Sequence, residues 1–153
     1  MRSFTSKISI SLGVVLVFFA TSAFARGHHS LNGTWKLIPN RGQYNGEPVI
    51  QTGKVTINDR EHNVYVSRDY TYEASNQVST SKFTTDGREG STIRNGKTFK
   101  SKAKWDGDTL VVATTEGEET GTERYNLEPD GTMRLVIERS GHPTTTLYFE
   151  HSM

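Results

Sequence analysis

Between residues 99 and 114 the chain spells out a β-hairpin, and that stretch restricts the possible folds more than any other. Phe99, Ser101, Ala103 and Trp105 alternate with Lys100, Lys102 and Lys104. A period of two belongs to an extended strand, whose successive side chains point to opposite faces. The lysines mark the wet face, so the first set faces inward. Asp106-Gly107 is a favoured two-residue hairpin loop. With that loop, Trp105 is expected opposite Asp108, Ala103 opposite Leu110, Ser101 opposite Val112 and Phe99 opposite Thr114. Both strands then bury the same face, and such agreement between local patterns is what a specified fold requires. An isolated hairpin is at best marginally stable, so the flanking sequence must supply further strands.

It does. Over 49–58 the pattern places Val55 and Ile57 inward, and Asp59-Arg60 reads as a tight turn. Over 64–72 Val64 and Val66 set the phase, which carries Arg68, Tyr70 and Tyr72 inward. A polar strand over 77–84 includes Phe83 near its end, and Asp86-Gly87 closes it. A short strand over 90–94 leads to Asn95-Gly96, a strong hairpin signal. After the acidic turn Glu116-Gly117-Glu118-Glu119, strands over 120–128 and 132–139 join at Pro129-Asp130-Gly131. Tyr125, Leu127, Met133, Leu135 and Ile137 face inward there. Glu123 and Arg139 share that phase and are diagonal neighbours. Ser140-Gly141-His142-Pro143 turns into a last strand over 144–151, with Leu147 and Phe149 inward. That strand can close against the first, over 32–39, where Trp35 and Leu37 share a face. The expected fold class is all-β: a single antiparallel up-and-down β-barrel of roughly eight to ten strands over 32–151. Closure removes exposed edges. The polar connection over 40–48 is expected to cross one end of the barrel or act as a lid.

The first 25 residues stand apart. Arg2 and Lys7 precede an apolar run over 8–20, and Ala23-Phe24-Ala25 has the small-x-small form of a cleavage site. This is the pattern of a secretory signal peptide, and the run is short for a membrane span. The expected organisation is a cleaved signal peptide (1–25), a flexible lead-in (26–31) and the barrel. The product would be exported, periplasmic or secreted, with no stable membrane anchor after cleavage. The chain has no cysteine, so disulfides, zinc-thiolate sites and a lipidated N-terminal cysteine are excluded. Without Arg2 and Lys7 the charge is close to balanced, and the basic footprint of a nucleic-acid binder is missing. The sequence leaves the oligomeric state open.

Gly33-Thr34-Trp35-Lys36-Leu37 resembles the opening strand of the calycins, the lipocalins and fatty-acid-binding proteins, whose Gly-x-Trp lies at the barrel base. The blocks Phe83-Thr84-Thr85-Asp86-Gly87-Arg88-Glu89, Ala103-Lys104-Trp105-Asp106-Gly107-Asp108-Thr109-Leu110-Val111-Val112 and Leu127-Glu128-Pro129-Asp130-Gly131 resemble bacterial exported lipocalin-like proteins of unassigned role. The resemblance implies structural roles for Gly33 and Trp35 at a closed base, and a barrel that binds a small apolar molecule. Two departures are plain. Fatty-acid-binding proteins hold a carboxylate with an Arg-x-Tyr on the last strand, where this chain reads Thr146-Leu147-Tyr148-Phe149-Glu150. They also insert a helix pair after the first strand, and 40–48 is too short for one.

A small barrel is either filled by its own side chains or keeps room for one ligand. Ser101, Ala103 and Thr114 are small inward residues, which leaves expected space near Tyr70, Tyr72, Phe99 and Tyr125. Arg68, Glu123 and Arg139 are the inward polar candidates. A buried charge must be paired or solvated, and an arginine left over after pairing with Glu123 could grip a ligand carboxylate. The candidate ligand set is therefore Arg68, Tyr70, Tyr72, Phe99, Ser101, Glu123, Tyr125 and Arg139. Alternatively, the two arginines reach water at the rim, or Arg139 covers Trp35 at the closed end. No cofactor or metal site is expected. His28 and His29 are too few ligands, and His62, His142 and His151 lack partners at ligand spacing. No serine sits in a nucleophile-elbow context, so the chain is not expected to be an enzyme; an activity at the barrel mouth would need a titratable group with a displaced pKa. The main alternative to a carrier is an interaction module with a filled barrel and an apolar outer patch of Val111, Ala113 and Val136.

Overall fold

The structure, a computed structural model, describes residues 31–60 and 63–153. Residues 1–25, expected to form a signal peptide, and His28, His29 and His62 lie outside the described residues. Ten strands follow one another: β1 (Gly33–Leu37), β2 (Thr52–Arg60), β3 (Asn63–Thr71), β4 (Asn76–Thr84) and β5 (Asp86–Arg94) in the first half. The second half supplies β6 (Lys97–Asp106), β7 (Thr109–Glu116), β8 (Glu119–Leu127), β9 (Met133–Arg139) and β10 (Thr145–Ser152). Each pairs antiparallel with its sequence neighbours, and β1 pairs with β10, so the sheet closes into an up-and-down barrel. A single 3-10 turn, Pro39–Arg41, follows β1.

The expected inward faces are the observed ones. Val55, Ile57, Val64, Val66, Phe83, Ala103, Leu110, Val112, Tyr125, Met133, Leu135, Leu147 and Phe149 are all buried. Asn95-Gly96 forms its hairpin, with Arg94 opposite Lys97 and both loop residues at positive φ, 47° and 83°, as a type I′ turn requires.

Three turn assignments need correction. Asp86-Gly87 does not separate two strands; both residues lie inside β5, which is longer than the expected 90–94 and pairs Asp86 with Lys104 before an irregularity in register that ends at Glu89. In the 99–114 hairpin, Asp106 pairs with Thr109, Trp105 with Leu110, Ala103 with Val112 and Ser101 with Thr114. The loop is therefore Gly107-Asp108, one position later than expected. Gly107 sits at φ +60°, and a left-handed first loop residue followed by an ordinary one is the type II′ arrangement that glycine enters without steric cost. The partners slip by two residues, so the buried face is unchanged and the alternation could not report the slip. Similarly, Asp59 and Arg60 are not a turn. They remain in β2, paired with Val64 and Asn63.

The two barrel ends differ. At the base, the Trp35 indole N–H donates to the Leu31 carbonyl oxygen (2.9 Å), and the ring meets His151 edge to face at 4.9 Å. Gly33, at φ +129°, has no room for a side chain because His151 Nε2 occupies the place a Cβ would take. Phe149, Met133, Leu135, Leu110 and Val64 fill the space above. At the mouth, residues 38–51 run from β1 to β2 across the opening. Gln43 forms a bridge with Thr146 of β10, and the Asn45 side-chain amide donates to the Thr144 carbonyl oxygen (2.7 Å). The connection crosses the barrel end, as its length and polarity suggested.

Candidate ligand-binding site

Above the packed base a cavity of about 830 Å³ opens at the mouth. Tyr44, Ile50, Tyr70, Tyr72 and Ile137 give it an apolar wall, and Glu123, Arg94 and Arg139 are among its polar lining. The period-two phase of each strand accounts for this. Along β3 the inward residues run Val64, Val66, Arg68, Tyr70 from base to mouth, and along β9 they run Met133, Leu135, Ile137.

Arg68 lies below the cavity lining and is joined to it through Glu123. Its side chain is buried, yet three donors are used: Nε to the Tyr125 hydroxyl (2.6 Å), Nη1 to Ser81 Oγ (2.8 Å) and Nη2 to Glu123 Oε2 (2.6 Å). The Tyr125 hydroxyl donates to the same carboxylate oxygen (2.6 Å). A buried charge persists only with such pairing. Burial works against the guanidinium charge, but Glu123 and the phenols of Tyr125 and Tyr70 more than offset it, and the Arg68 pKa lies above its ordinary value. Burial, reinforced by Glu123, raises the Tyr70 pKa. Burial also raises that of Tyr125, against the opposing pull of Arg68. Both phenols therefore hold their protons at neutral pH.

From Ser81 a chain of hydroxyls crosses four strands: Ser81 to Thr92 (2.8 Å), Thr92 to Ser101 (2.6 Å) and Ser101 to Thr114 (3.3 Å). The small residues expected to leave space around Ser101 instead close on one another through these bonds. Ser101 and Phe99 stand outside the cavity lining; Phe99 lies beneath the cations of Arg94 and Lys97. Tyr70, Tyr72 and Glu123 line the cavity, and Tyr125 lies below it, bonded to Arg68. Arg139 is at the mouth, at the opposite end from Trp35. It pairs with Glu47 (2.7 Å) rather than with Glu123. His142 Nδ1 also lies 3.0 Å from Glu47, so one carboxylate ties the connection over the mouth to the β9–β10 turn.

Several contributors were not singled out from sequence. Ser81 and Ser79 were readable, since the phase of Phe83 places both inward. Tyr44 and Glu47 lie in an irregular segment with no periodicity to assign them. Ile50 fell in the strand expected over 49–58, on the face opposite Val55; β2 begins only at Thr52, and Ile50 is buried in the connection before it.

The sequence matches no protein-family model and no curated protein. The fold has clear neighbours among solved structures. A fatty-acid-binding protein of Echinococcus granulosus superposes with a TM-score of 0.63 at 7% identity, covering 82% of this chain and 99% of that one. A Schistosoma mansoni fatty-acid-binding protein in complex with arachidonic acid gives 0.56 at 17% identity, with coverage of 81% and 97%. A secretory abundant heat soluble protein from Ramazzottius varieornatus gives 0.60 at 17%, with coverage of 80% and 96%. At these identities the likeness concerns the fold: a ten-stranded calycin-type barrel.

Proposed function

We propose that the protein is an exported carrier or sequestering protein that holds a small hydrophobic molecule inside the barrel. The observation that carries this reading is the cavity of about 830 Å³, open at one end, where an apolar wall of Tyr44, Ile50, Tyr70, Tyr72 and Ile137 faces polar and charged side chains that include Glu47, Glu123, Arg94 and Arg139. That size and lining suit a small-molecule site. Structural neighbours that include fatty-acid-binding proteins, one of them in complex with arachidonic acid, support it. Export, to the periplasm or beyond a bacterial cell, is supported by the signal-peptide pattern of residues 1–25. The interaction-module reading is weakened by the open interior. It is weakened too by Arg124, which stands between Val111 and Val136 in the sheet and divides the outer apolar patch.

Native mass spectrometry of protein purified without detergent tests the carrier. The expected result is a discrete added mass that organic extraction removes. A bare mass, unchanged after incubation with fatty acids, retinoids and isoprenoids, overturns the reading. For export, N-terminal sequencing of protein from the exported fraction is expected to begin at Arg26.

A further inference from the structure

The charge pattern of the cavity says more about what it would hold. Arg68 lies one inward position below Tyr70 on β3, and its charge is already consumed by Glu123 Oε2 at 2.6 Å. Tyr125 and Ser81 take two further donors. The lining adds Arg94 and Arg139 as cations against Glu47, Glu73 and Glu123 as anions. Arg139 is tied to Glu47. Arg94, beside the β5–β6 turn at the mouth, lies 3.5 Å from Glu116 and keeps one buried donor, Nε, without a partner. Below the mouth, no cation among the described residues is left over for an incoming anion. Such an anion would lose its water and stand beside the Glu123 carboxylate, and both changes are unfavourable in a low-dielectric interior.

Tyr70 carries the complementary signal. Its side chain is 5% exposed, it lines the cavity, and its hydroxyl is buried without a hydrogen-bond partner. A buried unsatisfied hydroxyl is costly and rare enough to need a reason. The ring is also seated deliberately: a Cβ at Gly53 would lie 3.2 Å from both Tyr70 Cδ1 and Leu37 Cβ, so the glycine clears the space that the phenol occupies. Tyr70 keeps its proton, as burial and Glu123 require, and therefore offers a donor.

We propose that the cavity selects a neutral amphiphile, with a hydroxyl, carbonyl or ester oxygen that accepts a hydrogen bond from Tyr70, over the matching carboxylate. This rests on the reading that the cavity holds a small hydrophobic molecule. The specificity would be the reverse of a site built around an unpaired arginine.

The test uses four probes that share a twelve-carbon chain: dodecan-1-ol, methyl dodecanoate, dodecanoate and dodecane. Each is titrated into the purified protein and into Tyr70→Phe, with binding followed by native mass spectrometry and tryptophan fluorescence. The alcohol and ester should bind tighter than dodecanoate by about tenfold or more. Tyr70→Phe should weaken the alcohol and ester by about fivefold to tenfold and leave dodecane unchanged. It removes a hydroxyl without a partner, so its melting temperature should hold or rise, which separates loss of the bond from loss of the fold. Dodecanoate binding as tightly as the ester, or neutral probes indifferent to Tyr70→Phe, overturns the proposal while the carrier reading stands. Dodecanoate binding that is tight and lost in Arg94→Gln would place the polar group at the mouth and overturn it too. Failure of all four probes, dodecane included, overturns both.

Discussion

The base and the mouth of the barrel are built from the same ten strands and the same alternation, yet they are chemically opposite. At the base the inward positions are Trp35, Phe149, Met133, Leu135 and Leu110, nearly all inaccessible, and the indole N–H is satisfied by a backbone carbonyl. Toward the mouth the inward positions change: on β3 buried Val64 and Val66 give way to Arg68 and Tyr70, and on β8 Leu127 and Tyr125 give way to Glu123. Half-exposed ion pairs such as Glu47 with Arg139 replace packing. The gradient runs along individual strands, so backbone geometry does not create it. Side-chain choice alone makes one end a plug and the other an opening, and stability is concentrated where no ligand would enter.

That contrast can be broken most severely at the base. Trp35→Ala removes a buried aromatic and should cost about 3–5 kcal/mol, read as a lowered midpoint in urea unfolding; a loss under about 1 kcal/mol would mean the plug is not structural. At the boundary between the halves, Glu123→Leu strands the Arg68 charge. A fully buried partner would cost about 3–5 kcal/mol. Because the Glu123 side chain is 21% exposed, the expected loss is smaller, about 2–3 kcal/mol. The double variant Arg68→Met/Glu123→Leu should recover most of it, since no unpaired charge remains; no recovery would mean that the hydroxyl chain, not the ion pair, holds the boundary.

Alkaline pH gives the next effect. Tyr70 and Tyr125 have folded-state pKa values above their ordinary 10.0. Below pH 10 both states keep the phenol protons and stability is intact. Above it the unfolded chain releases them while the folded chain does not, so stability falls as pH rises. The slope should approach about 1.4 kcal/mol per pH unit for each phenol. Urea midpoints at pH 8 and pH 11 measure it, and Tyr125→Phe should flatten the dependence; an unchanged slope would assign it to other groups. The smallest effect belongs to the mouth. Glu47→Ala should change stability by under about 1 kcal/mol while releasing a bound fluorescent probe faster in stopped-flow displacement. Unchanged release would mean that the backbone bridge between Gln43 and Thr146 alone secures the connection.

Much of the base was legible in the sequence, and less of the mouth. Alternation identifies a strand and its inward face, so Val64, Val66, Arg68 and Tyr70 followed from one phase. It is blind to a shift of two, which is why the partners of Trp105 and Ala103 were misplaced while their faces were right. It also cannot pair residues across the barrel. Glu123 and Arg139 looked like natural partners on one hairpin, whereas Glu123 bonds to Arg68 on β3 and Arg139 turns to Glu47. Those choices depend on the curvature of the closed sheet and on a connection without periodicity.

Finally, the seam between β1 and β10 joins the two ends of the chain, with Trp35 opposite His151. Every other strand pair is a neighbour in sequence and can zip up as soon as it emerges during synthesis. The seam alone must wait for the last strand, and its long loop carries the largest closure entropy. Until then the first strand presents an open edge, the state most exposed to misassociation. Closure of the cavity thereby depends on β10: a ligand has no enclosed site to occupy until that strand has been made and has paired with β1.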